Sequence, residues 1–197
     1  MTKRVVITGM GIISPIGNDV PTFWKNLIDG VCGIDYIHDF PTDGLPVKIA
    51  GKIKDFHPEE HGMDKAFGRK QDRFTQYGVA AAYEAMNQAG LVSEGEGQDI
   101  DPFRLGVYVG SGIGGFEIQY RETAKMIEDP TGQWISPLFI PTMISNIAAG
   151  HIAIKHQAKG PCIDVVTACA TSTNNIGEAF RAIRHGYADA IIAGGCE

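Results

Sequence analysis

Apolar residues recur at spacings of three and four positions in several stretches of the chain, and this spacing predicts amphipathic helices. The strongest pattern runs from Phe74 to Ala89, and Gly90 stands where a helix C-terminus favours glycine. Small residues at 80–82 predict close packing of this helix. The other predicted helices cover residues 23–28, 116–127, 144–152 and 172–185.

Short runs rich in β-branched residues separate these helices and predict strands. The predicted strands cover residues 4–8, 47–50, 105–109, 162–167 and 189–193, and residues 93–99 are predicted to form a surface loop. The last two strands flank a helix with short joints, which is the order of a βαβ unit. The pattern therefore predicts an α/β fold with a parallel sheet covered by helices.

Composition narrows the possible functions. Glycine contributes 25 of the 197 residues without a three-residue period, so collagen-like and low-complexity classes are excluded. The 23 acidic and 17 basic residues give a net charge of −6, which argues against a nucleic-acid partner. The four cysteines form no C-x-x-C pair, which indicates free thiols in a reducing compartment. We therefore expect a cytoplasmic protein.

One long stretch has no charged side chain. Residues 131–154 lack Asp, Glu, Lys and Arg and are long enough to cross a bilayer. Two prolines and polar residues such as Asn146 and His151 would be costly in lipid. We therefore expect a buried segment of a soluble protein and no membrane insertion. Glycines directly after residues 4–8 likewise argue against a signal peptide.

A glycine turn follows one predicted strand. Gly110-x-Gly112-x-x-Gly115 matches the dinucleotide-binding fingerprint and precedes a predicted helix. The fingerprint also requires a second strand that ends in an acidic residue, and none follows here. Tight strand-to-helix turns explain the glycines without a ligand, so nucleotide binding is the less favoured interpretation.

Residues 57–61 have the sequence His-Pro-Glu-Glu-His, which fits the zinc-protease pattern H-x-x-E-H. That chemistry needs both histidines on one face of a packed helix and a third ligand, whereas Pro58 and Gly62 disfavour a helix here. We therefore expect a solvated loop and no metal site. His151 and His156 are five residues apart and do not share a helix face.

Basic residues concentrate in one short stretch. Residues 65–73 carry four positive charges and one negative charge, for a net charge of +3. Lys65, Arg69 and Arg73 are spaced by four, so one helical face would present three cations. Such clusters are usually solvated surface. Against the acidic remainder of the chain, this cluster would also suit an acidic docking partner.

Cys169 lies where a predicted strand ends and the next predicted helix begins. The N–H groups and the positive dipole at a helix N-terminus favour a thiolate. The same N–H groups can hold an oxyanion formed when that thiolate attacks a thioester carbonyl. A buried structural cysteine is the alternative, because free cysteine packs as a small hydrophobe. Cys32, Cys162 and Cys196 have no such placement.

These features occur together with further motifs in a recognisable order. The motifs are VVITGMGIISPIGN at 5–18, QYG at 76–78, GSGIGG at 110–115, N-x-x-A-G-H at 146–151, GP at 160–161, TACATS at 167–172 and AGG at 193–195. With them the chain resembles the β-ketoacyl-[acyl-carrier-protein] synthases over its whole length, most closely the synthase II type of fatty acid elongation. The resemblance implies a homodimer and the thiolase-like fold, in which two similar halves pack as αβαβα layers.

The resemblance also implies a chemical role for Cys169. This residue corresponds to the nucleophile that takes an acyl chain from acyl carrier protein as a thioester. Malonyl-[acyl carrier protein] then loses carbon dioxide, and its carbanion attacks that thioester in a Claisen condensation. The backbone N–H of Cys169 corresponds to one donor of the oxyanion hole.

Binding residues are implied in the same way. Ile113 corresponds to the gate of the acyl pocket, and Ile140 is similar to a wall position of that pocket. Lys65, Arg69 and Lys70 resemble the docking region for the carrier protein. The resemblance implies no cofactor for this chain, because the carrier protein brings its own phosphopantetheine.

The sequence departs from the family pattern in two respects. Thr173 stands where a small residue is more usual, which bears on the shape of the pocket. Family members also have a second half with two active-site histidines, a lysine and a Gly-Phe-Gly-Gly loop, and none of these occurs in the 197 residues. Residues 1–197 thus correspond to the N-terminal half, and we expect that this chain alone does not condense malonyl units. A polyketide-type ketosynthase and a non-catalytic dimerising or carrier-binding fragment remain alternatives.

Overall fold

The computed structural model describes residues 4–91 and 100–197, so the loop predicted at 93–99 lies outside the described residues. The α-helices in the described part are α1 (Val20–Ile28), α2 (Lys65–Lys70), α3 (Arg73–Ala89), α4 (Phe116–Glu128), α5 (Phe139–Met143), α6 (Ile147–Lys155) and α7 (Thr171–His185). The strands are β1 (Ile34–Tyr36), β2 (Ile49–Gly51), β3 (Leu105–Gly110), β4 (Cys162–Ile163) and β5 (Ala190–Gly195). Short 3₁₀ helices occupy Pro58–His61, Pro102–Arg104 and Ala168–Ala170.

The main sheet has three parallel strands in the order β4-β3-β5. β3 pairs with β5 from Leu105, opposite Ala190, to Gly110, opposite Gly195. β3 thus lies between the two strands of the predicted βαβ unit. The parallel sheet predicted from the sequence is confirmed, and a separate antiparallel pair joins β1 and β2.

Side chains of β3 alternate between two helix layers, because successive residues of a strand point to opposite faces. Val107 and Val109 lie in a buried cluster with residues of α3 and α6. Tyr108 lies in a second cluster with Ala179 and Ala182 of α7. The sheet is therefore covered by α3 and α6 on one face and by α7 on the other.

α3 agrees closely with its prediction. The helix ends before Gly90, whose φ of 69° is the left-handed conformation that glycine adopts without strain. Ala80 is completely buried and Ala82 nearly so. The close packing expected from this run of small residues is thus confirmed.

The strand predicted at residues 4–8 is wrong. These residues precede a segment that packs along α3, and a Cβ atom on Gly9 would lie only 2.0 Å from the carbonyl oxygen of Ala85. The Met10 N–H donates to Oε1 of Gln88 at 2.6 Å. None of the described strands pairs with this segment, and α3 supplies the acceptor for a backbone donor that a neighbouring strand would otherwise pair.

Residues 131–154 do not form one buried element. The stretch contains both α5 and α6, and the helix predicted there begins later than expected, at Ile147. Trp134 is 67% exposed and Ile140 is 54% exposed, so the segment is buried only in part. Within the described residues, no helix combines the length and the apolarity needed to cross a membrane.

Candidate active site

Three loops meet beyond the carboxyl ends of the parallel strands, the edge where α/β proteins place their sites. β3 leads into the glycine turn, residues 110–115; β4 leads into the segment with Cys169; and β5 leads to Glu197. A Cβ atom on Gly112 would lie 3.5 Å from Cα of Ala168, the residue before Cys169. The glycine turn and the cysteine segment therefore lie close together, with space for about one methyl group between Gly112 and Ala168.

Cys169 lies in the 3₁₀ turn Ala168–Ala170, directly before α7. Its side chain is exposed. Ala168 has a φ of 51°, a left-handed conformation that is uncommon for a residue with a Cβ atom and that occurs often at functional sites. The predicted position at the strand–helix joint is confirmed, and the residue is not buried.

Asn175 holds the segment that leads to Cys169. It is fully buried, and its Oδ1 accepts a hydrogen bond from the Val165 N–H at 3.1 Å. Its Nδ2 donates to the carbonyl oxygens of Val165 at 3.2 Å and Thr171 at 2.9 Å. The Thr171 hydroxyl accepts from the Thr167 N–H at 2.9 Å. Side chains of α7 thus replace strand pairing here, which is why β4 is shorter than the predicted strand 162–167.

The other cysteines have different surroundings. Cys196 packs against α3, where a Cβ atom on Gly78 would lie 2.8 Å from its Sγ. Burial raises the pKa of the Cys196 thiol to about 12. Burial also raises the pKa of Cys162. Cys32 is exposed, but it lies far along the chain from the strand ends, in the segment before β1.

The N–H groups of the glycine turn are occupied by an acid of the same chain. The Glu197 carboxylate accepts hydrogen bonds from the Gly112 N–H at 2.7 Å, the Ile113 N–H at 3.1 Å and the Ser111 hydroxyl at 3.3 Å. The Ser111 hydroxyl accepts from the Gly114 N–H at 2.7 Å. In a dinucleotide site such N–H groups face a phosphate. A carboxylate already in that position argues against nucleotide binding.

Asp164 is a second acid at this edge of the sheet. A Cβ atom on Gly110 would lie 2.1 Å from Oδ1 of Asp164, 2.7 Å from Nδ2 of Asn175 and 2.8 Å from Cγ2 of Thr171, so a larger residue would have to displace three side chains. Burial raises the pKa of the Asp164 carboxyl; the Ser145 hydroxyl and the Ser111 N–H offset part of this rise, and the charge of Glu197 adds to it.

Sequence reasoning missed Asp164, Asn175 and Glu197. A signal for Glu197 was present, since it follows closely on the predicted strand 189–193, whereas Asp164 lies inside the predicted strand 162–167 and carried no such signal. No comparable signal marked Asn175.

The two predicted pocket residues lie on neighbouring elements. Ile113 is in the glycine turn and is 65% exposed, and Ile140 is on α5 and is 54% exposed. The Gly115 N–H donates to the carbonyl oxygen of Met143 at 2.7 Å, which joins the turn to α5. The structure therefore brings the two elements together and leaves both isoleucine side chains open at the surface.

The basic residues do not share one helix face, so that prediction is wrong. α2 ends at Lys70, and the chain turns through Asp72 before α3 begins. Arg73 therefore starts a different helix, where it pairs with Glu117 at 3.3 Å. The three remaining cations are exposed on α2. In the part of the chain that the structure describes, none of them forms an ion pair.

Asp72 connects this basic corner to the glycine turn. It is buried to 7% exposure, and its Oδ2 accepts from the Ile118 N–H at 2.9 Å in the first turn of α4. A Cβ atom on Gly115 would lie 3.1 Å from the same oxygen. The carboxylate thus caps α4 and fixes its start against the end of α2.

Residues 57–61 are partly helical, where a solvated loop was expected. Pro58–His61 forms a 3₁₀ helix, and the ring of His61 stacks on Phe56 with centroids 5.3 Å apart. Burial lowers the pKa of His61. Across residues 4–91 and 100–197, no group of three or more His, Cys, Asp and Glu side chains is arranged to hold a metal ion.

Comparison with known proteins identifies the same family as the sequence motifs. Residues 2–197 match the family model of the beta-ketoacyl synthase N-terminal domain. The chain is 48% identical over 195 residues to 3-oxoacyl-[acyl-carrier-protein] synthase 2 of Staphylococcus aureus strain N315, covering 99% of this chain and 46% of the relative. The corresponding synthase of Vibrio cholerae is 43% identical over 195 residues, with the same coverage. The chain thus spans about half the length of the curated relatives it matches.

Solved structures show the same architecture. A ketosynthase of a type II polyketide synthase, in complex with its acyl carrier protein and bound to a hexaketide, matches with a TM-score of 0.79 at 26% identity, over 100% of this chain and 52% of that one. The ishigamide ketosynthase/chain length factor matches with a TM-score of 0.83 at 27% identity, over 99% of this chain and 47% of that one. The expected thiolase-like α/β fold is confirmed, and the chain belongs to the β-ketoacyl synthase family, whose N-terminal domain it matches over residues 2–197.

Proposed function

We propose that this chain carries the nucleophile of a 3-oxoacyl-[acyl-carrier-protein] synthase of fatty acid biosynthesis. Cys169 accepts the acyl chain, and the enzyme joins it to the two-carbon unit left when malonyl-[acyl carrier protein] loses carbon dioxide. The observation that carries the proposal is the exposed Cys169 in a left-handed turn at the start of α7, beyond the carboxyl ends of the sheet. Family membership and 48% identity to synthase 2 support it.

The first half-reaction follows from this geometry. The Cys169 sulfur attacks the carbonyl carbon of the acyl thioester, a new carbon–sulfur bond forms, and the carrier thiol leaves with the proton. Negative charge develops on the carbonyl oxygen during the attack. In this proposal the Cys169 N–H donates to that oxygen, and the positive end of α7, which begins two residues later, lies beside it. An oxyanion donor of this kind contributes about a hundredfold to a thousandfold in rate.

The binding roles belong to the same proposal. Ile113 and Ile140, exposed on joined elements, border the acyl chain, and the exposed α2 side chains Lys65, Arg69 and Lys70 attract the acidic surface of an acyl carrier protein. The enzyme is a cytoplasmic homodimer. It needs no metal and no cofactor beyond the phosphopantetheine that the carrier protein brings.

Condensation needs more than these residues. The family's decarboxylation chemistry uses two histidines and a second oxyanion donor, and the family places both in a C-terminal half. His151 and His185 match none of those catalytic positions. We therefore propose residues 1–197 as the acyl-accepting half, which transfers acyl groups to Cys169 and forms no 3-oxoacyl product alone.

Thiol labelling tests the role of Cys169. A limiting amount of iodoacetamide should modify Cys169 first and leave Cys196 untouched, because Cys196 is partly buried and its pKa is raised to about 12. Peptide mass spectrometry reads the site, and Cys169→Ser and Cys32→Ser serve as matched variants. Incubation with an acyl-[acyl carrier protein] should then acylate the Cys32→Ser chain and not the Cys169→Ser chain. Equal labelling of Cys32 and Cys169, with no acylation, would favour a structural thiol.

A polyketide-type ketosynthase is the second candidate, since the solved relatives include a type II polyketide ketosynthase. The higher identity to synthase 2 supports the fatty acid assignment. Competition between a saturated acyl thioester and a poly-β-keto thioester for Cys169 distinguishes the two. Preferential transfer of the saturated chain supports the first candidate, and preference for the keto chain supports the second. A chain that binds carrier protein and accepts neither would be a non-catalytic fragment.

A further inference from the structure

One carboxylate holds the glycine turn beside Cys169. We propose that Glu197 is the positioning residue that fixes the backbone of Ile113, and that through Ile113 it determines which acyl chains reach Cys169. This inference rests on the proposed function, because it assigns a specificity determinant to the same acyl-accepting site.

The hydrogen bonds show how the turn is held. Glu197 binds two successive backbone N–H groups, those of Gly112 and Ile113, and also the hydroxyl of Ser111. Ser111 is completely buried, and its hydroxyl takes the Gly114 N–H. Hydrogen bonds therefore connect Glu197 to Ser111 and Ser111 to Gly114, and together they fix the first part of the turn. At its other end the turn is held separately by α5.

The position of Ile113 depends on these bonds because its side chain is 65% exposed. An exposed side chain has few packing contacts, so its place is set mainly by its backbone. Gly112 lies between the carboxylate and the cysteine segment: a Cβ atom there would lie 3.3 Å from Oε2 of Glu197 and 3.5 Å from Cα of Ala168. A change in the Glu197 contact therefore shifts the turn relative to Cys169.

The charge of Glu197 matters as well as its shape. Hydrogen bonds to an ionised acceptor are roughly twice as strong as bonds between neutral groups. Both oxygens of the carboxylate accept, Oε2 from Gly112 and Oε1 from Ile113 and Ser111. A glutamine in this place has only one acceptor oxygen, and its NH₂ group would face a backbone or hydroxyl donor. Glu197→Gln therefore keeps the size of the side chain and removes at least one of its hydrogen bonds to residues 111–113.

Two measurements on the 197-residue chain test the proposal, with Glu59→Gln, an exposed acid on Pro58–His61, as the matched control. Amide hydrogen exchange over residues 111–114 should be about tenfold faster in Glu197→Gln, and unchanged in the control. The ratio of Cys169 acylation rates by dodecanoyl-pantetheine and butyryl-pantetheine should change by about tenfold. The rate at which iodoacetamide alkylates Cys169 should stay within about twofold of the rate in the parent chain, because this reagent is too small to contact Ile113.

Each outcome decides a separate point. Unchanged exchange over 111–114 would refute the contact's role in holding the turn. Faster exchange with an unchanged chain-length ratio would refute the specificity role alone. A parent chain that takes no acyl group refutes the proposed function, and with it the specificity role, while the exchange result still decides whether Glu197 holds the turn. If Glu197→Gln does not fold, Ser111→Ala removes one of the three bonds to Glu197 together with the bond from the Gly114 N–H, and a change in the same direction is expected.

Discussion

Replacing Asn175 with alanine removes the side chain that holds the Cys169 segment. Asn175 is 0% exposed, and its amide makes three hydrogen bonds, two to Val165 and one to the carbonyl oxygen of Thr171. Truncation leaves these backbone groups without their partner. Each group left unpaired costs about 1 kcal/mol, and lost packing adds to this, so we expect a loss of about 2–4 kcal/mol in the free energy of unfolding.

The neighbouring residue provides the control. Asn174 is exposed and makes one hydrogen bond, from its Nδ2 to the Thr167 hydroxyl at 2.6 Å. Its replacement by alanine should change the free energy of unfolding by about 0.5 kcal/mol or less. The two variants remove the same atoms from consecutive positions of α7, so the difference between them reports the buried bonds.

Urea unfolding followed by circular dichroism measures the loss of stability. The rate at which an acyl thioester modifies Cys169 measures the effect on the site. Asn175→Ala should slow that acylation by about tenfold, because the backbone donor beside the sulfur is no longer held in place. Equal stability losses in Asn174→Ala and Asn175→Ala would show that the buried amide is not what holds the segment, and the reasoning would fail.

Three further predictions concern packing and pH. Gly11→Ala places a Cβ atom 1.9 Å from a carbonyl oxygen of α3 and should lower the free energy of unfolding, measured in urea, by about 1–3 kcal/mol. Gly177→Ala on α7 has nothing within 4 Å of its new Cβ atom and should raise that free energy by about 0.5–1 kcal/mol. Equal effects of the two substitutions would contradict this reasoning. Burial lowers the pKa of His156 from 6.5 to about 4, so stability is full above pH 6.5 and falls by about 3 kcal/mol as the pH drops to 4, a dependence that His156→Gln should abolish. The hydrogen bond from Lys125 lowers the pKa of Glu122 below 4.5, so its contribution persists above pH 4.5 and is lost at lower pH. Glu122→Gln should flatten this acid part of the pH profile, and an unchanged profile would exclude that ion pair as its source.

Local sequence patterns predicted a helix or strand well where residues within that element are enough to determine it. α3 and α7 follow apolar periodicity and end at glycines with positive φ. β3 and β5 are short runs made mostly of β-branched and small residues. In the sheet, β3 pairs with a strand on each side and β5 pairs with β3. These signals lie within a single stretch of sequence, so no long-range contact is needed to find them.

Predictions failed where a distant partner decides the structure. Residues 4–8 have a strand-like composition, but the segment that follows them lies on α3 and gives a backbone N–H to a helix side chain. The four-residue spacing of Lys65, Arg69 and Arg73 suggested one helical face, but Asp72 turns the chain to cap α4. In both cases the competing contact comes from a part of the sequence that local periodicity does not include.

The sequence by itself determined the family, the α/β class and the cysteine at the strand–helix joint, because motif order and residue spacing along the chain carry that information. Only the tertiary structure decided that Cys169 is exposed while Cys196 is partly buried against α3, and that Asn175 holds the segment leading to Cys169. It alone placed Glu197 on the N–H groups of a turn 84 and 85 residues away in the chain. The physical reason is that burial and hydrogen bonding depend on which strand ends lie next to each other. The order of the strands in the sheet determines those neighbours, and this order is not visible in any single stretch of sequence.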